Sequence, residues 1–213
     1  VVGFQKMTEL KSNEIQEVMG RSGDVLWECV FGTTMPAYFA MYANAHMNKY
    51  GTTEEQLAKV AVKNHLYGAK NPKAMFQKPI GLEEVLTSGM IASPLKRYDC
   101  CANSDGAACL ILASEEKAKK IMDTPVWVAG LGLGSSSMTL TNRELPLTSF
   151  SCAVEAAKQA YNMANVKPKD IDVAEVHDCF TITEIINYED LGFCGKGEGG
   201  KLIEEEQTYV GGK

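Results

Sequence analysis

The 213-residue sequence contains no run of eighteen apolar residues, so no membrane-spanning helix is expected, and no basic-then-apolar leader precedes residue 20. Histidine is scarce, with three in the chain, and the seven cysteines (Cys29, Cys100, Cys101, Cys109, Cys152, Cys179, Cys194) form an odd set without a C-x-x-C pair. That pattern argues against a zinc module and a disulfide frame, and fits reduced thiols in the cytoplasm, the default compartment. A basic stripe is missing too. The 21 Lys and Arg stand against 27 Asp and Glu, for a formal charge of −6, which argues against a nucleic-acid backbone as the main partner. No repeat or low-complexity tract occurs. The sequence also opens on "VVGFQKM", without an initiator methionine and in the manner of a strand already under way, so it is expected to be a piece of a longer polypeptide.

What is present is ordinary globular material: 45% apolar and 23% charged residues, enough for one large or two small domains with a buried core. The clearest helical region follows Pro36, a residue suited to a first turn, with Tyr38, Met41, Tyr42, Ala45 and His46 at helical spacing until Gly51. Thr52 or Thr53 then caps a second helix, with Glu54 and Glu55 at its positive end and Leu57, Val60, Ala61 and Asn64 on one face. "DGAACLILASEEKAKK" reads as a buried strand leading into a charged helix, "TPVWVAGLGLG" as a second apolar strand, and "IDVAEV" as a short one. "SSSMTLTNRELPLTS" is an irregular polar loop. Ser149 or Ser151 should cap the helix that carries Val154, Ala157, Ala160 and Tyr161 inward, and Thr181, with Glu184 three residues on, the helix "TITEIINYEDLG". Strands alternating with helices predict an α/β architecture with a mainly parallel sheet.

Several motifs carry less than they suggest. Gly130, Gly132 and Gly134 follow a strand, but no helix starts after them as a dinucleotide site requires, so close packing is the better reading. "GKGEGGKL" places Leu202 where a P-loop needs a hydroxyl and Glu198 where phosphates would sit; it reads as a surface turn. Glu204, Glu205 and Glu206, and the lysines at 117, 119 and 120, read as solvated faces. His46 and His65 read as hydrogen-bonded helical histidines, and adjacent Cys100 and Cys101 cannot chelate a metal alone.

His177, Asp178 and Cys179 differ in their setting, between an apolar strand end and a helix start. Ligands gather at the carboxyl ends of strands in parallel α/β folds, and a helix start biases a cysteine toward thiolate. Cys179 as base or nucleophile beside His177 as a hydrogen-bond donor is one reading. Ordinary packing and a zinc clip are the others, and spacing alone leaves them open.

"VHDCFTITEIINYEDLGF", taken with "GFQKM", "HMNKYGTTEEQLAKVAVKNH", "SDGAACLILAS" and the terminal "TYVGGK", resembles the thiolases. The resemblance is to the subgroup of archaeal acetyl-CoA acetyltransferases and sterol carrier protein x thiolases, and it covers essentially the whole chain. It implies a partial thiolase fold: residues 1–20 ending the N-terminal half, 21–98 a loop domain shaping the coenzyme A site, 99–123 the last strand and helix of that half, and 124–213 an incomplete C-terminal half. It also implies that His177 helps form an enolate oxyanion hole and that Cys179 is the acid/base, within the family's His-Asp-Cys-Phe motif. Coenzyme A thioesters are then the substrates, with no separate cofactor or metal.

The implied activity is condensation of two acetyl-CoA to acetoacetyl-CoA, feeding the mevalonate pathway. Hydroxymethylglutaryl-CoA synthase and a small zinc-containing bridging protein are the implied partners, in addition to a homodimer or homotetramer. Departures from the family pattern are also legible. No cysteine here matches the nucleophile's motif, which lies upstream of "GFQKM", and the Gly-His-Pro histidine would fall just after Lys213. These residues alone are therefore expected to be inactive. A longer-chain 3-ketoacyl-CoA thiolase and a non-catalytic acyl-CoA or partner-binding fragment stay open as alternatives. The ligands of the coenzyme A phosphates are not legible; Lys63, Lys70 and Arg97 are only basic residues in or near that region.

Overall fold

A computed structural model describes residues 1–142 and 145–212; residues 143 and 144 of the polar loop, and Lys213 of the terminal "TYVGGK", lie outside them. The elements run β1 (Val2–Gln5), α1 (Ser12–Gly20), α2 (Met35–Tyr50), α3 (Glu54–Gly68), α4 (Leu82–Leu86), β2 (Met90–Ala92) and β3 (Leu95–Lys96). They continue with β4 (Gly106–Cys109), α5 (Glu115–Ile121), α6 (Ser151–Ala164), α7 (Thr181–Asp190) and α8 (Gly199–Glu204). Among the described residues no helix is long and apolar enough to cross a membrane.

The helix ends near residue 51 form for the predicted local reasons. Gly51 closes α2 in the left-handed region at φ 76°, where a side chain would be strained, and its N–H donates to the Met47 carbonyl. Thr53 caps α3 in a reciprocal pair: its Oγ1 accepts the Gln56 N–H at 3.1 Å, and the Gln56 side chain accepts the Thr53 N–H at 3.2 Å.

The core gathers around α7, of which every residue except Asn187 is buried. Ile182, Ile185 and Ile186 pack with Tyr42 and Ala43 of α2, Leu57 and Val60 of α3, Leu95 of β3 and Ile203 of α8. Each of the three isoleucines is fully enclosed, worth about 1.5–3 kcal/mol apiece relative to exposure. His46, also fully buried, joins α2 to α7: its Nδ1 lies 2.7 Å from Thr52 Oγ1 and its Nε2 3.2 Å from the Glu189 carboxylate. The histidine is thus a satisfied core residue.

Two caps differ from expectation. At α6 the N-cap is Phe150, and the acceptor comes from a distant helix: Asp190 of α7 takes the Ser149 hydroxyl and the Phe150 N–H, each at 2.6 Å. At α7 the N-cap is Phe180 rather than Thr181, whose hydroxyl donates instead to Asp99 at 2.8 Å. Glu184 is drawn away from the helix start to Lys63 and Asn64 of α3.

The sheet is the larger correction. Among the described residues the pairings between named strands are antiparallel: β1 with β4, in the register Val2↔Cys109 to Gln5↔Gly106, and β2 with β3. The expected parallel ladder does not appear. Segments 124–134 and 171–176 are without helix or strand, because a strand requires a neighbouring backbone and no described segment supplies one. β4 is likewise exposed, not buried. Ile111, Val126, Val128, Leu131, Leu133 and Val173 consequently remain exposed.

The three glycines of segment 130–134 do have a packing partner. A Cβ added to Gly130, Gly132 or Gly134 would stand 2.3, 1.9 or 2.0 Å from the carbonyl oxygens of Ala160, Ala156 and Cys152 respectively. The match has a simple origin: two extended residues rise about 6.6 Å and four helical residues about 6 Å, so alternate glycines meet successive turns of α6. Gln159 locks the register by accepting from the Leu133 N–H at 3.2 Å and donating to its carbonyl at 3.1 Å. These glycines serve close packing, as expected. "GKGEGGKL" also binds itself, since Glu198 accepts the Gly195 N–H at 2.8 Å; but Gly199 and Gly200 are buried at the start of α8, so only its first half is a surface turn.

Candidate active site

The chain from His177 to Cys179 joins an extended segment to α7, so alternate side chains project to opposite sides. His177 and Cys179 both line a cleft of about 1510 Å³. Asp178 instead lines a separate pocket of about 290 Å³, together with Asn64 and Thr181. The sequence-predicted pair is therefore brought to one cavity, while the intervening acid lines the adjoining one. The cleft wall is largely apolar near the pair, with Met19 of α1, Met35 and Phe39 of α2, and Phe180; Lys78 and Arg97 contribute its cations.

Long-range contacts fix the turn on its other sides. Cys100 bridges Phe180 in antiparallel fashion, and the Cys101 N–H donates to the Cys179 carbonyl at 3.0 Å. Asn64 Nδ2 donates to Asp178 Oδ2 at 2.5 Å and to Glu184 Oε2 at 2.7 Å. Glu184 in turn accepts from Lys63 and from the Tyr188 hydroxyl, and Lys63 also reaches Tyr188 at 3.2 Å. Lys63 and Glu184 are both buried. Among the three basic residues singled out in the sequence, Lys63 is thus engaged internally, Lys70 lies over the Tyr67 ring at 5.3 Å, and Arg97 faces the cleft.

The electrostatics correct one expectation. Cys179 precedes the N-cap of α7, yet burial pushes its thiol up to about 11. Cys101 and Asp178 reinforce that rise, while the contact with Thr183 Oγ1 at 3.6 Å and the Phe180 N–H only partly oppose it. The helix start does not make this cysteine a thiolate, because desolvation of the charged form outweighs the helix field. Burial likewise raises Asp178, with Glu184 adding to the effect and Asn64 opposing it. Alkylation of Cys179 by iodoacetamide, followed by peptide mass analysis, should keep accelerating well above the ordinary thiol range of about 8.5. A rate plateau near that value would contradict the buried-thiol environment.

A resting thiol beside an imidazole in a large cleft can donate a proton and a hydrogen bond to a bound carbonyl compound. Among the described residues no group of three or more His, Cys, Asp or Glu side chains is arranged to hold a metal ion. Sequence reasoning missed Asn64 as a partner of the site, since 114 residues separate it from Asp178 and no local pattern links them.

The model of the thiolase N-terminal domain matches residues 2–116, and that of the thiolase C-terminal domain-like family matches residues 132–213. Acetyl-CoA acetyltransferase of Methanothermobacter thermautotrophicus is 42% identical over 210 residues, 99% of this chain and 54% of that protein. Sterol carrier protein 2 of Bos taurus is 41% identical over 182 residues, 84% of this chain and 34% of its own length. The chain thus spans about half the length, or less, of these curated relatives. A solved structure described as an Ltp2-ChsH2(DUF35) aldolase superposes with a TM-score of 0.82 at 35% identity, covering 87% of this chain and 50% of that one. With both halves of the fold matched in order along one polypeptide, the chain belongs to the thiolase family.

Proposed function

We propose that the complete protein carrying this chain is an acetyl-CoA C-acetyltransferase, interconverting two acetyl-CoA with acetoacetyl-CoA and coenzyme A. The carrying observation is the placement of His177 and Cys179 on one cleft, with Asp178 lining the adjoining pocket. Archaeal relatives named as acetyl-CoA acetyltransferases, at 41–42% identity, support the choice of substrate.

In the cleavage direction, a cysteine nucleophile outside these residues attacks C3 of acetoacetyl-CoA. The C2–C3 bond breaks, and its electron pair becomes the enolate of acetyl-CoA. The enolate is the costly species, so a donor on its oxygen and an acid at C2 supply the acceleration. His177 donates to the enolate oxygen, and the Cys179 thiol gives its proton to C2. Coenzyme A then takes the acetyl group from the nucleophile, so that acetoacetyl-CoA and coenzyme A yield two acetyl-CoA. Condensation is the reverse, with Cys179 receiving the C2 proton. The raised thiol fits this role, since Cys179 rests in its protonated form, ready to act as acid.

Residues 21–98 are the module that shapes the coenzyme A site in this proposal. A cytoplasmic role in the mevalonate pathway, with hydroxymethylglutaryl-CoA synthase and a small zinc-containing protein as partners and self-association into a dimer or tetramer, belongs to the same proposal. The aldolase neighbour, in which Ltp2 is joined with ChsH2(DUF35), supports a partner-bound assembly. The broad apolar wall at Met19, Met35 and Phe39 favours a second reading, a thiolase of longer 3-ketoacyl-CoA chains.

The test is thiolysis of a chain-length series of 3-ketoacyl-CoA esters by the complete protein and by the isolated 213 residues. Fastest turnover of acetoacetyl-CoA by the complete protein, with none by the isolated piece, is expected. Preference for long chains selects the second reading, and no cleavage of any ester by the complete protein overturns both.

A further inference from the structure

Cys179 and His177 act in the proposed function only if their backbone holds both side chains in the cleft; Cys101 holds the Cys179 carbonyl, and the residue between the pair is held through its side chain. Asp178 lines the smaller, adjoining pocket together with Asn64 and Thr181. There it meets a side chain from α3: Asn64, half-buried, divides its two amide hydrogens between Asp178 Oδ2 at 2.5 Å and Glu184 Oε2 at 2.7 Å. One acceptor lies in the turn and the other in the first half of α7, so a single planar amide sets the distance between them. Lys63 and Tyr188 hold Glu184 through its Oε1, so two further donors fix the carboxylate whose Oε2 accepts from Asn64.

We propose that Asn64 is a positioning residue for the reaction: by bridging Asp178 and Glu184 it fixes the turn that presents His177 and Cys179 to the substrate. Asn64 lines the smaller pocket and not the cleft that His177 and Cys179 line. Its action passes through the backbone, because tilting the 177–179 segment about Asp178 moves both flanking side chains together. Asparagine suits the task because its amide offers two donors, one for each carboxylate, where a hydroxyl offers one. An aspartate there would add a third carboxylate and supply no ionised donor.

This inference rests on the reading of Cys179 as the acid/base, and the experiment separates the two. In the complete protein, Asn64→Ala and Asp178→Ala are each expected to lower kcat for thiolysis by about 100-fold, with KM changed less than about threefold, as for displacement of a reacting group by about 1 Å. The double variant should be no slower than either single one, since both remove the same contact. Acetylation of the enzyme's nucleophile by acetyl-CoA, read by intact mass, should proceed at the unaltered rate. Asn64→Ser, which retains one donor, should fall between Ala and the natural residue, and it carries the test if Asn64→Ala does not fold.

Multiplicative losses in the double variant would overturn the proposal, as would unaltered kcat in Asn64→Ala. Equal slowing of nucleophile acetylation would do so too, because it would signal general damage. Full activity in Cys179→Ala would instead remove the reading on which the proposal rests, whatever the Asn64 variants show.

Discussion

Cys179→Ala in the complete protein is expected to lower both thiolysis and condensation by about 10²- to 10⁴-fold, the span assigned to loss of a positioned acid/base. That corresponds to about 3–5.5 kcal/mol of lost transition-state stabilisation. Acetyl transfer from acetyl-CoA onto the enzyme's own nucleophile should survive, because that half-reaction, unlike cleavage of acetoacetyl-CoA, makes no C2 carbanion. The separation follows from the geometry. Cys179 shares the cleft with His177, and burial keeps its thiol protonated, so removing it leaves the nascent enolate held but unquenched. Steady-state kinetics together with the intact mass of the acetyl-enzyme would show both effects. Condensation at the natural rate in Cys179→Ala would rule this thiol out as the acid/base.

Lys63→Met should be the most damaging single change to stability away from the core isoleucines, at about 3–5 kcal/mol, the cost of stranding a buried charge. Lys63 and Glu184 are 8% and 2% exposed, so neither has water as a substitute partner. With the ammonium gone, Glu184 retains only neutral donors, Asn64 and the Tyr188 hydroxyl. Adding Glu184→Gln to Lys63→Met should recover much of the loss, because neutralising both members removes the unpaired charge that the single change leaves. Denaturant unfolding of the complete protein would measure this, and a loss below about 1 kcal/mol in Lys63→Met would put the pair in the class of surface ion pairs. The lysine was legible in the sequence only as a basic residue near a ligand site. Its burial reassigns it to the frame behind the site.

Much of the chain could be read without coordinates where the cause is local. Gly51 ends α2 because only the left-handed region fits there, and Thr53 with Gln56 caps α3 through contacts three residues apart. Periodicity placed Leu57, Val60, Ala61 and Asn64 of α3 on one face, of which the first three are buried, and the helix after Cys179 was located from the capping-box spacing of Thr181 and Glu184 even though those two side chains do not cap it. The spacing of His177 and Cys179 alone left their chemistry open, and the family resemblance supplied the expected roles.

The remainder required partners far apart in sequence. Thr181 and Glu184 have capping-box spacing, yet Asp99 takes the first and Lys63 and Asn64 the second, since a buried acid gains more from a cation than from a backbone N–H. Ser149 gave way to Asp190 as the cap acceptor because the carboxylate accepts both the Ser149 hydroxyl and the Phe150 N–H. Cys179 is a thiol rather than a thiolate because desolvation, a property of everything packed around it, exceeds the field of the helix that follows it. Strand-like composition at 124–134 was legible, but a ladder needs two backbones, and only the fold shows whether the second is present. Local chemistry determined the helix ends near residue 51 and the face of α3; tertiary structure decided the protonation of Cys179, the partners of Ser149, Thr181 and Glu184, and the contact of Asn64 with Asp178, because each depends on which distant groups are packed against the same place.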